Sequence, residues 1–404
     1  MLRILMCGMF LSLAPISRAV AMQTFEDAKL VAGDGASLGE FGYGLSIEGD
    51  RALVGAPGDS EHGLYAGAAY LFERQPTGIW LQVEKLVGNG VAAANLGHSV
   101  ALRGAQAVIG TPRDTIGGIG SAGAALLYER DSAGVWQQIE RFLAPDPSSG
   151  DELGSSAAVQ TGWAILGAPR DAGDFGSVYV FEEGPSGSWD VVHKITTDDG
   201  PTSGWFGWSV ALFGNRAIVG APVFHGSAYI LERDSAGTWT EAARLTASDG
   251  FGEDNYFGRS VALFGNRARV GAEADDEFGT AAGAAYVYER DPGGTWVEVA
   301  KLTASDAAAL DYFGYAVALF ADRAVIGTYY ANRAYVFERG PTGAWVETTT
   351  LLASDGDPSD GLGETVSLSG DRAIVAAWQD DDVGFQAGSA YVFDIGVGST
   401  FCQS

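Results

Sequence analysis

The sequence predicts an all-β fold: a seven-bladed β-propeller of four-stranded antiparallel blades, closed by the N-terminal strand pairing in the last blade. Three observations predict it. A motif opening on Phe-Gly or Leu-Gly recurs seven times, at Phe41, Leu96, Leu153, Phe206, Phe257, Phe313 and Leu362, at intervals of 49 to 57 residues. Each copy carries strand-like runs separated by glycine-bearing turns. The fourth run is missing after the last copy and present ahead of the first. Repetition at this period marks a repeat architecture, and a displaced strand is what a closed ring needs and a linear array does not.

Within a copy the first run alternates, as in Ser209-Val210-Ala211-Leu212. A two-residue turn follows, Gly49-Asp50, Gly214-Asn215, Gly265-Asn266 or Gly370-Asp371, pairs that tolerate the positive φ of a tight hairpin. The second run ends in Gly-Ala-Pro or a close variant: Gly55-Ala56-Pro57, Gly110-Thr111-Pro112, Gly167-Ala168-Pro169 and Gly220-Ala221-Pro222. The last three copies degrade it to Gly271-Ala272-Glu273, Gly327-Thr328-Tyr329 and Ala376-Ala377-Trp378. After a variable loop comes a third run, such as Ala285-Tyr286-Val287-Tyr288-Glu289. A fourth opens on Trp80, Trp136, Trp189, Trp239, Trp296 or Trp345. Phe25 to Leu30 is the displaced fourth run, with Phe25 expected in the tryptophan's place. The recurring Phe and Trp are expected core.

Composition agrees. The 404 residues include 58 glycines against 13 prolines, with 11% aromatic and 19% charged. That is too apolar for a disordered chain and too glycine-punctuated for a helical one. Arg3, the apolar run Ile4 to Ala14 and Ala19-Val20-Ala21 read as a secretory signal cleaved after Ala21. The expected division is therefore a signal peptide over 1–21, a propeller over 22–396 and a tail over 397–404. Losing Arg3 and Arg18 takes the formal charge from −27 to −29, which excludes nucleic acid and anionic membrane as partners. No later segment is long enough to span a bilayer. Without Cys7, Cys402 stands alone, so no internal disulfide is available, and a monomer held by packing is expected.

The motif order resembles the FG-GAP repeat of integrin α-subunit propellers and many bacterial surface proteins, over about residues 24 to 395. The resemblance implies a secreted or cell-surface binding or adhesion propeller, with an extracellular protein or polysaccharide as partner. It also implies that ligands meet the face bearing the second-to-third loops and the blade connections. Calcium-binding members carry an Asp-rich loop between the first two strands. Here that loop is two residues, too short for six to eight oxygen ligands, so no metal ligands and no cofactor are expected from it. Asp355-Gly356-Asp357-Pro358-Ser359-Asp360-Gly361 is the remaining place for calcium, without an EF-hand's spaced bidentate Glu.

No catalytic residue emerges. Gly97-His98-Ser99 imitates a nucleophile elbow, yet its serine recurs at Ser209 and Ser260 and leads into a strand rather than a helix. His62, His98, His193 and His225 have no metal-ligand spacing. Lys29, Lys85, Lys194 and Lys301 share one position near the end of the fourth strand, with Arg141 and Arg244 in two other copies. On an outermost strand such charges are expected to discourage edge-to-edge pairing.

Function usually rides on variable loops held by a rigid scaffold. The variable loops carry Asp59 and Glu61, Asp171 and Asp174, Asp275 to Glu277, Tyr329 and Tyr330, and Asp380 to Asp382. The connections add Asp254, Asp311, Asp355, Asp357 and Asp360. A second feature is the residue after each Phe/Leu-Gly, whose neighbours repeat while it does not: Tyr43, His98, Ser155, Trp208, Arg259, Tyr315 and Glu364. Near the start of each innermost strand, these seven are expected to ring the channel mouth on the loop-rich face, where their mixture suits a sugar or a peptide. Two other readings stand beside binding: a lyase or hydrolase acting on carbohydrate, and a passive repeat of a surface layer. A pair of buried carboxylates, or a His-Tyr-Arg group in the channel, would favour the enzyme.

Overall fold

The computed structural model describes residues 21–88, 91–197, 204–223, 226–250 and 255–396. The expected leader with Cys7, and His225, Asp254, and the tail with Cys402, lie outside them. The described strands form seven sheets. Blade 5 is representative: Val261–Phe264, Arg267–Ala272, Ala284–Arg290 and Trp296–Leu302 pair in sequence order, each antiparallel to the last. Its outer pair slips register at Val287/Tyr288, and the outer pairs of blades 1, 2, 3, 4 and 6 slip at the corresponding place. Such bulges add twist.

The first strands lie innermost: Leu45–Glu48, Val100–Arg103, Ser156–Gln160, Ser209–Phe213, Val261–Phe264, Val317–Phe320 and Thr365–Ser369, each touching its neighbours around the ring. The apolar core lies between blades. One cluster joins Ile218 and Ile230 of blade 4 to Phe257, Val270, Tyr286 and Trp296 of blade 5.

The two glycines of the motif meet across each seam. Gly97 takes φ +94° and donates its N–H to the Gly110 carbonyl of its own blade at 3.1 Å. A Cβ on Gly55 of the preceding blade would lie 1.9 Å from the Gly97 carbonyl oxygen, so no side chain fits. The recurring serine works at this seam too: Ser99 Oγ donates to Gly154 O at 2.7 Å and Ser209 Oγ to Gly258 O at 2.9 Å. The elbow-like Gly97-His98-Ser99 is therefore a blade-to-blade stitch.

Ala28–Leu30 pairs antiparallel with Ser389–Asp394 and completes blade 7, with Lys29 opposite Tyr391 as Lys301 is opposite Tyr286. Across the seam between blades 7 and 1 the Arg372 guanidinium reaches Asp50 at 2.7 Å. One detail departs from expectation. With Lys29 aligned on Lys301, Phe25 falls on Val297 rather than Trp296, because the displaced run is one residue shorter. A one-residue slip turns a side chain to the other face of a strand, and Phe25 is 55% exposed whereas Trp296 is 8% exposed. Met22–Phe25 instead pairs parallel with Trp345–Leu352 as a fifth strand on blade 6. No helix among the described residues is long and apolar enough to cross a membrane.

Candidate functional site at the channel mouth

Each ring residue sits one or two positions ahead of an innermost strand, so seven converging blades bring them together. Tyr43, His98, Ser155, Trp208, Arg259, Tyr315 and Glu364 all line one cavity of about 590 Å³ on the loop-rich face. Tyr43 packs on His98 with ring centroids 4.8 Å apart and faces Trp378 at 6.0 Å. Tyr315 stacks on Tyr329 at 4.9 Å. Trp208 stacks on Trp205 at 5.0 Å. The Arg259 guanidinium lies 4.3 Å from the Tyr315 ring centre and 5.4 Å from that of Trp208, and its Nε is 3.1 Å from Glu273.

Sequence reasoning did not reach Arg113, Glu152, Arg170 and Trp378, which also line the cavity. Nor did it give Tyr329 a place there. A signal existed. Tyr329, Trp378 and Glu273 occupy the proline position of Gly-Ala-Pro in the three degraded copies, and Arg113 and Arg170 directly follow that proline in two intact ones. Tyr329 and Trp378 line the cavity from that position and Arg113 and Arg170 from the next, while Glu273 reaches Arg259 behind them.

Burial sets the electrostatics. It pushes the Glu364 carboxyl up to about 8, against hydrogen bonds from Trp378 Nε1 and from Gln379 Nε2 and the charge of Arg259. It pushes Glu273 up to about 7, against Arg259, and His98 down to about 4, although His98 Nδ1 donates to the Ser155 carbonyl at 3.2 Å. Tyr43 and Tyr315 are also raised by burial. Glu364 ties stability to pH with a definite sign. Its folded value exceeds the unfolded 4.5, so the cost of a buried carboxylate is absent below about pH 4.5 and complete above about pH 8. Glu364→Gln is therefore expected to gain stability relative to the native chain as pH rises from 4.5 to 8, by roughly 2–4 kcal/mol across that window. Urea titrations at pH 4 and pH 9 check this; equal differences at both would contradict it.

The loop acids divide differently from expectation. In blade 5 the Lys301 ammonium lies 2.7 Å from Asp249, 2.9 Å from Asp275 and 2.8 Å from Glu277, while Tyr286 Oη donates to Asp249 and Asp275 at 2.7 and 2.9 Å. Lys85 repeats this with Asp34, Asp59 and Glu61, Lys194 with Asp146 and Asp171, and Lys29 with Asp355, Asp380 and Asp382. Arg141 pairs with Asp114, and Arg244 lies over Tyr229. The lysines are thus not edge guards. Each neutralises one buried Asp of a second-to-third loop, which needs a cation and hydrogen bonds, and ties it to more exposed acids of that loop or of the preceding blade connection. Asp59, Asp171, Asp275, Asp355 and Asp380 face these ammonium groups. The 355–361 turn gives its first carboxylate to Lys29, and Asp360 accepts from the Asp357 backbone N–H at 2.6 Å. The Lys194 hydrogen bond holds Asp146 below 3.8 against burial, and burial raises Asp249 but the Lys301 and Tyr286 bonds together outweigh it and hold it below 3.8 too. Their stabilisation is present above that unfolded value and lost as pH falls through the folded one. Among the described residues no group of three or more His, Cys, Asp or Glu is disposed to hold a metal ion.

The fold and motif agree with comparison to known proteins. The FG-GAP repeat family matches residues 24–72, 136–181, 189–231, 239–288, 296–337 and 345–393, well over half the chain. The chain belongs to the FG-GAP repeat family. The stretch 73–135 is unmatched, yet it supplies all but the last strand of blade 2. Two solved structures share the architecture. A protein from Lactobacillus plantarum has TM-score 0.56 at 14% identity, over 82% of this chain and 90% of its own. A functionally unknown protein from Desulfotomaculum acetoxidans has TM-score 0.51 at 15% identity, over 78% and 89%. No curated protein matches the chain.

Proposed function

We propose that this is a secreted or cell-surface binding propeller whose ligand is a polysaccharide held in the channel-mouth cavity. The observation that carries the reading is the lining: Tyr43, Trp208, Tyr315, Tyr329 and Trp378 present aromatic surface around one cavity with three arginines. Ring faces pack against the C–H faces of sugars while a few charged groups fix orientation. The chain works as a monomer and without a metal, since its acidic clusters already hold their own ammonium groups.

A thermal melt with a panel of polysaccharides, with calcium and with EDTA tests this. A ligand at a hundred times its Kd stabilises by about 2.7 kcal/mol, a rise of a few degrees. A glycan is expected to raise Tm, and Trp208→Ala to abolish the rise. Calcium and EDTA are expected to leave Tm unchanged. No rise with any glycan, beside capture of a protein partner, would overturn the reading.

One observation favours an enzyme as the second reading: Glu273 and Glu364 are both buried near Arg259, with carboxyls pushed up to about 7 and about 8, where a general acid is effective. Against a lyase, burial moves Tyr43 and Tyr315 up and His98 down, away from the values a base needs. Chain shortening of a bound glycan on prolonged incubation distinguishes the two.

A further inference from the structure

The cavity inverts the charge of the molecule around it. The chain carries 51 acidic against 24 basic residues, yet three arginines and two glutamates line this cavity. The glutamates contribute less charge than their number suggests. Glu152 is paired with Arg170 at 3.1 Å. Glu364 is 5% exposed, makes no ion pair among the described residues, and has its carboxyl pushed up by burial. Arg259 is balanced by Glu273. Arg113 is exposed at the rim and makes no close ion pair among the described residues; its charge acts on the half-buried Glu40, whose carboxyl burial still holds above its usual value. In so acidic a protein a guanidinium at a cavity mouth without a close ion pair is the exception.

The positions are also sided. Tyr43, Tyr315, Tyr329 and Trp378 come from blades 1, 6 and 7, and Arg113 and Arg170 from blades 2 and 3, while Trp208 of blade 4 borders the arginine side. A second open depression of about 700 Å³ adjoins the cavity and shares Glu152 and Arg170 with it, but Asp151, Asp171 and Asp174 also line it, so the surface turns acidic past the arginine side.

The geometry points to an anionic glycan, a chain of uronic acid residues, with one sugar ring on the aromatic side and its carboxylate on Arg113. This deepens the binding reading and rests on it. A guanidinium presents two parallel N–H groups to a carboxylate, a geometry a neutral sugar cannot use. Low counter-charge inside the cavity leaves that interaction uncancelled. The acidic surround, the adjoining depression included, would repel the same ligand elsewhere on the molecule and so confine it to this cavity.

The test is calorimetric titration with oligomers of galacturonate, mannuronate and glucuronate beside neutral oligomers of galactose, mannose and glucose. The proteins are the native chain, Arg113→Gln and Trp208→Ala. Arg113 is exposed, so Arg113→Gln is expected to melt as the native chain does. The expected result is binding of at least one uronate oligomer and of no neutral one, with affinity for the uronate falling roughly 10- to 100-fold in Arg113→Gln. It should also weaken as salt rises. If neutral oligomers bind as well, and Arg113→Gln changes nothing while Trp208→Ala abolishes binding, the anion inference falls and the glycan reading stands. If no oligomer of either kind binds the native chain, both fall.

Discussion

Phe257→Ala is expected to cost about 3–5 kcal/mol, measured as a lower urea midpoint with an unchanged slope. Phe257 is 0% exposed and sits in the seam between blades 4 and 5, its ring edge-on to Tyr286 at 5.4 Å and Tyr288 at 6.2 Å. Truncation empties a site bounded by strands of two different blades. Neither blade can close the gap without moving its whole sheet, so the cavity term adds to the lost transfer energy. The two edge-on contacts add about 0.5–1.5 kcal/mol each, and Tyr286 also carries the blade's Asp249–Asp275–Lys301 cluster. A midpoint within error of the native chain would show that the motif's Phe is not core.

The fold was legible because the repeat states it seven times. The glycine pairs explain why the motif survives: Gly55 and Gly97 face each other across a seam with no room for a Cβ, so two distant parts of the repeat are held by one contact. The channel-mouth ring could be read from strand direction alone. The proline-position tier was missed because losing Pro looked like decay, although Tyr329 and Trp378 changed from a turn residue to side chains that line the cavity, and Glu273 to one that pairs with Arg259. The role of the lysines was also hidden. Their position is visible in sequence, but their partners lie 23 to 353 residues away in loops of different length. No period relates a strand position to such loops. The Phe25 slip has the same origin, since the closing strand is one residue short and similarity of size suggested the wrong alignment.

Arg269→Ile is expected to stabilise the protein, by about 1–3 kcal/mol, seen as a higher guanidinium chloride midpoint at pH 7. The second strand of each blade places one side chain in the seam to the next blade. That residue is Leu53, Val108, Ile165, Ile218, Val325 or Ile374 in six blades and Arg269 in blade 5, and all seven are 0% exposed. Nε, Nη1 and Nη2 of Arg269 have no hydrogen-bond partner. Burial lowers its ionisation to about 9, with Arg267 adding repulsion, so at neutral pH the group is a buried cation. What it gains is the face of Trp345, 3.7 Å from the guanidinium carbon to the ring centre. A desolvated cation–π contact is worth about 2 kcal/mol, whereas removing a charged group from water costs several kcal/mol per ion. Five unsatisfied N–H groups add to that cost. Isoleucine restores what blades 3, 4 and 7 carry at this position, where it packs on Trp239, Trp296 and Trp80. If Arg269→Ile instead lowers the midpoint, the guanidinium donors are satisfied in solution by a trapped water or anion, and the seam between blades 5 and 6 is a built polar site rather than a defect in an apolar one.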